Sequence, residues 1–331
     1  MKVSVIIPNY NGFHILEKCL ESLLSHDPGP DQIVVVDNGS SDGSREKTAR
    51  KYPSVDLVPL EKNTGFTGAN NAGLRASEGD LLVLLNNDCI VESGWLTGLL
   101  GRMEEPDIAA VTCSMRNISD RNIMDSAGGK IDWMGFSRDI GKGEPASDFL
   151  EPRDLPFPCG GAAMVRRRAL PDPHRIFWPE LFLYQEDMDL GFELLRTGWR
   201  VVFEPSAVVR HMHSATSGHG TLRKEYHCAR NRFLVMRKHF RPEVFRRLLP
   251  VMLNWQALWF FSSVARGRFV MARAVLDGAR DGLRLPVRGF EAEIPLSDIF
   301  IRYATDYDDA SGVKRRMYAR AERIIRAGVR G

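Results

Sequence analysis

Apolar residues fall along the first half of the chain in short unbroken runs, each stopped by a polar turn. Residues 2–7, Ile33–Val36, the weaker Val55–Val58 and Leu81–Leu85 are runs of this kind. The length of these runs and their β-branched content predict strands. Between the first two, Ile15, Leu16, Cys19, Leu20, Leu23 and Leu24 recur at helical spacing on one face. A second helix is expected from Ser44, where the Ser and Asp residues of Asp37-Asn38-Gly39-Ser40-Ser41-Asp42 can cap it. A Gly/Asn loop, Asn63 to Gly73, opens a third. Strand and helix alternating at this spacing imply right-handed crossovers and a parallel, doubly wound α/β sheet. Leu81–Leu85 is apolar throughout, as expected for a central strand covered on both faces.

Farther along, Ile108–Thr112 is a fifth expected strand, and residues 115–156 form a glycine-rich excursion over the substrate side. Pro158 to Val165 enters a strand through Gly160 and Gly161, which suits close backbone approach to a ligand or a tight bend. Leu190 and Leu194 mark a helix face, Trp199–Phe203 another strand, and Tyr226–Leu234 a basic helix. Beyond Arg241 the pattern changes. Val251–Val264 holds Trp255, Trp259, Phe260 and Phe261 between arginine pairs. Such a segment fits a helix at a membrane interface and a helix packed on the main domain equally well. An amphipathic helix is expected at Val313–Ile325.

Composition narrows the class. A chain of 331 residues with 44% hydrophobic and 26% charged residues belongs with globular proteins and is long enough for one large α/β domain, or one plus an appendage. The net charge of +3 makes no case for nucleic acid, although Arg223–Arg284 carries 14 Lys/Arg against four Asp/Glu. Five scattered cysteines without a CxxC pair argue against a disulfide framework or a zinc site and for a reducing compartment. The N-terminal run, ended by Pro8, reads as a strand rather than a signal peptide, and no apolar run reaches the roughly 18 residues of a spanning helix. A cytoplasmic protein is expected, with attachment at the inner face of a membrane left open.

Candidate chemistry collects where the runs stop. Pro8-Asn9, Asp37-Asn38 and Asn86-Asn87-Asp88 end three strands on one sheet edge, where open α/β sheets bind nucleotides. The first turn, Pro8-Asn9-Tyr10-Asn11-Gly12, lacks GxGxxG and so argues against a dinucleotide-dependent oxidoreductase. Glu186, Asp187 and Asp189 open a helix whose dipole favours negative charge there. Capping does not require three carboxylates in four positions, and crowded carboxylates raise one another's pKa, which suits a general base. Val208–Gly220 holds three histidines in a Gly/Ser/Thr-rich segment that could close over substrate, with at most one of them a metal ligand.

Taken in order, Val5-Ile6-Ile7-Pro8-Asn9-Tyr10-Asn11, Val35-Val36-Asp37-Asn38-Gly39-Ser40, Asn63-Thr64-Gly65-Phe66, Asn86-Asn87-Asp88, Gly160-Gly161-Ala162 and Glu186-Asp187-Met188-Asp189-Leu190 resemble the inverting glycosyltransferases of family 2. His211 with Thr216, and Arg230-Asn231, extend the match to about residue 240. The similarity is greatest to bacterial rhamnosyltransferase-type enzymes of cell-surface polysaccharide assembly. It implies a GT-A fold, a Rossmann-like and mostly parallel sheet flanked by helices, over residues 1–240. Residues 241–331 would then be a helical extension for packing, membrane-surface or oligomer contacts, with a homo-oligomer left open.

The same resemblance implies roles for individual residues. Pro8, Asn9, Tyr10, Asp37 and Asn38 would line the nucleotide pocket, and Asn63, Gly65, Phe66 and Asn70 the wall around base and sugar. Asn86-Asn87-Asp88 would stand in place of the DxD motif, with Asp88, and His211 as a possible second ligand, holding Mg²⁺ or Mn²⁺ against the donor diphosphate. Asn86 departs from that motif and removes one negative charge, which would leave metal affinity more dependent on the diphosphate. Asp187 would be the base, Glu186 and Asp189 its electrostatic neighbours, Gly160 and Gly161 part of the donor site, and Arg230 a counter-charge for the leaving group. The implied donor is a nucleotide-diphosphate sugar, dTDP-rhamnose first and UDP-sugars next. The acceptor would be a glycan or lipid-linked hydroxyl. The residues by themselves leave a non-catalytic nucleotide-sugar or glycan-binding module open.

Overall fold

The structure is a computed structural model that describes residues 1–212, 221–305 and 312–328. The chain divides into two compact units. The first comprises residues 1–129, 139–194 and 199–217, and the second residues 130–138, 195–198 and 218–331.

The first unit begins as the hydrophobic pattern predicts. β1 (Val3–Asn9), α1 (Phe13–Leu24), β2 (Gln32–Asp37), α2 (Ser44–Lys51), β3 (Asp56–Pro59), α3 (Gly65–Ala76) and β4 (Leu81–Leu85) follow in order. Ile15, Leu16, Cys19, Leu20 and Leu23 of α1 are buried as the spacing requires, whereas Leu24, the last residue of the helix, is exposed. The Asp42 carboxylate accepts from the Ser44 N–H and hydroxyl at the start of α2. β1 pairs in parallel with β2 on one side and β4 on the other, and β2 pairs in parallel with β3. The chain therefore steps outward from β1 to β3 and then returns to β1's other flank. A crevice opens at such a reversal, outside the carboxyl ends of the strands. All five residues of β4 are buried.

After β4 the sheet is no longer purely parallel. β5 (Cys89–Val91), α4 (Trp95–Arg102) and β6 (Ile108–Asn117) lead into short strands β7 (Met124–Ser126), β8 (Gly129–Asp132), β9 (Ser137–Asp139) and β10 (Arg153–Asp154). β11 (Ala162–Arg166) then runs antiparallel between β4 and β6. α5 (Glu186–Arg196) precedes β12 (Arg200–His211), which lies parallel to β6. The order across the main sheet is β10-β12-β6-β11-β4-β1-β2-β3, with β5 on β12 and β7 on β6. Two expectations are refined. The strand expected at Ile108–Thr112 extends to Asn117, and the glycine-rich excursion over residues 115–156 contains short strands. Their brevity, two to four residues each, leaves no periodicity to read.

The second unit is mainly helical: α6 (Leu222–His239), α7 (Pro242–Ala265), α8 (Phe269–Arg284), α9 (Leu296–Tyr303) and α10 (Val313–Gly328). A small strand, β13 (Ala304–Thr305), pairs with Ile131 and Asp132. α6 packs on α8 through glycines: a Cβ at Gly278 or Gly282 would lie 2.4 Å from the Tyr226 or Arg230 carbonyl oxygen. Arg232 is fully buried beneath the Phe136 ring, 4.0 Å away, and donates to Gln256 Oε1 at 2.7 Å. Part of the basic block is thus taken up inside the unit. α7 is long and apolar enough to cross a membrane by length and composition, with a third of its apolar window buried.

Candidate active site

The site is assembled at the carboxyl edge of β1, β2 and β4. The Asn38 N–H donates to the Asn9 carbonyl oxygen at 2.8 Å, and Asn87 Nδ2 donates to Asn9 Oδ1 at 2.8 Å. The ends of all three strands are tied together by these two bonds. A Cβ at Gly12 would lie 2.9 Å from Asn87 Nδ2, so the turn after β1 must pass without a side chain. Pro8 is partly buried and Tyr10 is exposed at this edge.

Several buried polar atoms here have no partner within the protein. Asp37 Oδ1 accepts from the Ser40 N–H, but Asp37 Oδ2 has no partner. Asn9 Nδ2 and Asn70 Oδ1 are likewise unpartnered, although Asn70 Nδ2 donates to the Phe66 carbonyl oxygen. Leaving a buried polar atom unpaired costs about 1–3 kcal/mol, so such a group in a crevice marks where a ligand completes the bond. Asn38 and Asn63 are used differently. Asn38 Oδ1 accepts from the Thr64 N–H and hydroxyl, and Asn38 Nδ2 donates to Asn63 Oδ1 and to the Gly65 carbonyl oxygen. They strap the loop that opens α3.

Asp88 reaches His211 through sheet register. β5 pairs antiparallel with β12, setting Cys89 opposite His211, and the Met212 N–H donates to the Asp88 carbonyl oxygen. His211 Nε2 lies 3.2 Å from Asp88 Oδ1, an ion-pair distance without hydrogen-bond alignment, which leaves that buried oxygen with no hydrogen-bond partner. On its other side His211 Nδ1 contacts Asp125 Oδ2 of β7 at 2.5 Å. Burial lowers the His211 pKa, but the two carboxylates outweigh it and push it up to about 9. Asp88, Cys89 and His211 present ligand atoms within 4.8 Å of one another. A carboxylate and an imidazole, with other positions left to phosphate oxygens, suit Mg²⁺ or Mn²⁺. The Cys89 thiol donates to the Gly161 carbonyl oxygen, and burial raises its pKa well above the ordinary thiol value, so it is poorly suited as a ligand.

The acidic cluster is presented from the other side. β11 enters beside β4, where the Asn86 N–H donates to the Gly161 carbonyl oxygen at 2.8 Å. A Cβ at Gly161 would stand 2.9 Å from Asn86 Nδ2, and one at Gly160 would stand 3.5 Å from the Asp187 Cβ and 3.7 Å from the rings of Phe66 and Phe177. Gly160 and Gly161 therefore lie among Phe66 and Phe177, the Asn86 turn after β4 and the start of α5. Asp187 is partly exposed, whereas Glu186 and Asp189 are buried. Burial raises the Glu186 pKa, and the charges of Asp187 and Asp189 raise it further. Burial also raises Asp187; the N–H groups of Met188 and Gly160 oppose this and Asp139 adds to it. Glu186 Oε2 is buried and unpartnered. Asp189 acts electrostatically on Arg175, which is paired with Glu193 at 3.0 Å.

The segment before α5 is bent against backbone preference. Phe182, Tyr184 and Gln185 have φ of 62°, 71° and 68°. Non-glycine residues in this region cost of order 1–3 kcal/mol each and persist only where surroundings enforce them. Here α3 does so. Asn71 Oδ1 accepts from the Ile176 and Phe177 N–H groups, Asn71 Nδ2 donates to the Phe177 carbonyl oxygen, and the Thr67 N–H donates to that of Phe182. Gly65, at φ +77°, passes so close that a Cβ would be 2.3 Å from the Phe182 carbonyl oxygen.

Pro8, Asn9, Asp37, Asn70, Asn86, Asn87, Asp88, Gly160, Gly161, Glu186, Asp187 and His211 are therefore gathered along one edge of the first unit. Arg230 belongs to the second unit, on α6, where its Nε donates to Asn231 Oδ1. Its part in donor binding rests on the family resemblance. Thr216 and residues 213–220 of the expected closing segment lie outside the described residues. Asp125 and Asn71 escaped sequence reasoning: an isolated Asp in a loop-rich stretch and the second of two adjacent Asn residues carry no motif.

Solved structures share this architecture. The structure of GalNAc-T7 with UDP, GalNAc and Mn²⁺ matches with a TM-score of 0.61 and 17% identity, over 76% of this chain and 51% of that one. The mannosyltransferase PcManGT from Pyrobaculum calidifontis, in complex with GDP-Man and Mn²⁺, matches with a TM-score of 0.54 and 18% identity, over 86% of this chain and 87% of that one. The fold is the GT-A fold of glycosyltransferases. At the level of sequence, the glycosyl transferase family 2 model matches residues 4–172, and the chain belongs to that family of transferases. Among curated relatives, the N-acetylglucosaminyl-diphospho-decaprenol L-rhamnosyltransferase of Mycobacterium tuberculosis is 28% identical over 237 residues, covering 65% of this chain and 77% of the relative. The O-antigen chain rhamnosyltransferase RfbN of Salmonella typhimurium is 25% identical over 219 residues, covering 65% and 68%.

Proposed function

We propose that this transferase moves a sugar with inversion from a nucleoside diphosphate sugar, dTDP-rhamnose first, to a hydroxyl of a glycan or lipid-linked acceptor in cell-surface polysaccharide synthesis. The carrying observation is the set of unpartnered buried atoms on Asn9, Asp37 and Asn70, at the same edge as the Asp88–His211 pair and a carboxylate of raised pKa, Asp187. The names of the two rhamnosyltransferase relatives support rhamnose and, for the first, a lipid-linked acceptor. In this reading residues 1–240 form the catalytic domain and 241–331 its helical extension.

Asp37 Oδ2 and Asn9 Nδ2 would bind base and ribose, with Pro8 and Tyr10 at the rim and Asn38 and Asn63 holding the loop in place. Gly65, Phe66 and Asn70 would bound the base and sugar, and Asn86, Asn87, Gly160 and Gly161 the sugar diphosphate. Asp88 and His211 would hold a divalent cation, which when bound neutralises charge on the departing diphosphate. Asp187 would take the proton of the acceptor hydroxyl as that oxygen bonds to the anomeric carbon and the bond to the β-phosphate oxygen breaks. A single displacement inverts the centre and needs no second acid, because the nucleoside diphosphate leaves as an anion. Glu186, beside Asp187, is itself held toward its neutral form by burial and by the Asp187 and Asp189 charges, while Asp189 acts electrostatically on Arg175, the partner of Glu193.

A thermal-shift series over nucleotide sugars, each with and without Mn²⁺, tests the donor. Stabilisation by dTDP-rhamnose that grows with Mn²⁺ is expected. A larger shift with UDP-sugars would move the assignment to a UDP-sugar transferase of the same family, and no shift with any of them would overturn the reading.

A further inference from the structure

The second unit carries an apolar face that its own packing does not cover. α7 is anchored along one side, where Val251, Met252, Trp255 and Gln256 are buried and the Trp255 ring lies 5.7 Å from Phe136 and 5.5 Å from Tyr318. Its opposite stripe is exposed at Leu253, Asn254, Ala257, Leu258, Phe261 and Ala265. From Leu253 to Ala265 the helix contains no charged residue. The face continues past the turn Arg266-Gly267-Arg268 onto α8, where Phe269 and Val270 are each 64% exposed, matching Phe261 at 65%, and Leu276 is exposed one helical face farther on. Solvated helix faces ordinarily carry charge; this one is inverted.

Cations ring it. Arg247 lies near the N-terminal end of α7, beyond the far end of the exposed stripe, and Arg266 and Arg268 lie in the turn at its other end. Among the described residues no carboxylate is within ion-pair distance of these three, unlike Arg246, Arg273 and Arg280, which pair with Glu243 and Asp277. We propose that the α7–α8 turn is a membrane-docking surface: Leu258, Phe261, Phe269 and Val270 enter the acyl boundary of an anionic bilayer while Arg247, Arg266 and Arg268 contact lipid phosphates. Apolar residues with an arginine collar match the two layers of such an interface. A second copy of the chain is the poorer occupant, because an isologous dimer would set each arginine collar against its own copy. The anchored side of α7 makes the helix lie on the bilayer instead of crossing it. Trp255, one of the aromatics of this segment, is buried, so the contact falls at the turn.

The proposal goes beyond the transfer reaction and does not depend on it. Flotation of the full chain with vesicles of phosphatidylcholine, alone or mixed with phosphatidylglycerol, tests it without donor or metal. The parent should float with the anionic vesicles and be released by high salt. The variant Phe261→Ser/Phe269→Ser/Val270→Ser should lose binding by about tenfold or more, with an unchanged melting curve. Arg266→Gln/Arg268→Gln should lose about tenfold on anionic vesicles only, and this variant decides the question should the triple variant misfold. The proposal is overturned if the parent stays with the soluble fraction, or if both variants float like the parent. It is also overturned if light scattering finds a dimer that the triple variant dissociates and no vesicle binding.

Discussion

Asp187 can be judged by two measurements that move in opposite directions. Its carboxyl is held above the usual carboxylate range, so the folded protein binds that proton more tightly than the unfolded chain does. The stabilisation this brings is complete below the unfolded pKa and is lost as pH rises through the folded one. At neutral and alkaline pH the charge is therefore a burden on the fold. Asp187→Asn should melt higher than the parent at pH 8, with the gap closing in acid, while transfer falls about 100- to 10,000-fold, or roughly 3–5 kcal/mol of barrier. The parent's transfer rate should also fall in mild acid, beginning above the pH at which an ordinary carboxylate would protonate. Asp125 is the other test at this scale. Its contact orients His211 toward Asp88, so Asp125→Asn should weaken Mn²⁺ binding about 10- to 100-fold, read by calorimetry without substrate. Asp88 and Asp187 were legible in the sequence because each ends or opens an element. Asp125 was not, because its meaning lies in a contact 86 residues away.

Among the elements, β1 to β4 could be read directly, since parallel strands covered on both faces appear as unbroken apolar runs. β11 has the same composition, AAMVR, yet runs the other way, and no local signal fixes strand direction. The consequence is functional: its reversal is what brings Gly160 and Gly161 against Asn86 and Asp187. α3 also does more than its Gly/Asn opening suggests, because Asn71 holds Ile176 and Phe177 by three hydrogen bonds. Asn71→Ala should lower stability by about 1–3 kcal/mol in denaturant unfolding, since it strands buried backbone groups. Gly65→Ala forces a Cβ onto the Phe182 carbonyl at a positive φ and should cost both stability and transfer, measured by melting and by donor turnover.

For the molecule as a whole, the charge pattern read from sequence proved partly internal. Arg232 and Lys238, inside the basic block, are buried, and Arg237 donates to the Gly282 carbonyl oxygen. Of the exposed arginines that remain, Arg266 and Arg268 sit in the α7–α8 turn and Arg247 near the other end of α7, while Arg246, Arg273 and Arg280 are paired with carboxylates, a separation that a linear charge count cannot make. The two compact units also interleave along the chain. Lys130–Arg138 and Leu195–Gly198 belong with residues 218–331, so the second unit is threaded by pieces of chain from within the first. Swapping a relative's C-terminal segment at residue 240 would leave those pieces mismatched, and such a chimaera should melt well below the parent in a thermal scan.

The positive-φ turn at Phe182–Gln185, packed against Gly65 and Thr67 and preceded by the Asn71-held Ile176–Phe177 segment, couples α3, proposed above as the donor wall, to the carboxylates that open α5. Retargeting the enzyme to a bulkier or smaller sugar by repacking α3 would therefore also retune the acidity and aim of Asp187. Specificity and rate would have to be evolved together, with compensating changes sought on the turn rather than in the pocket.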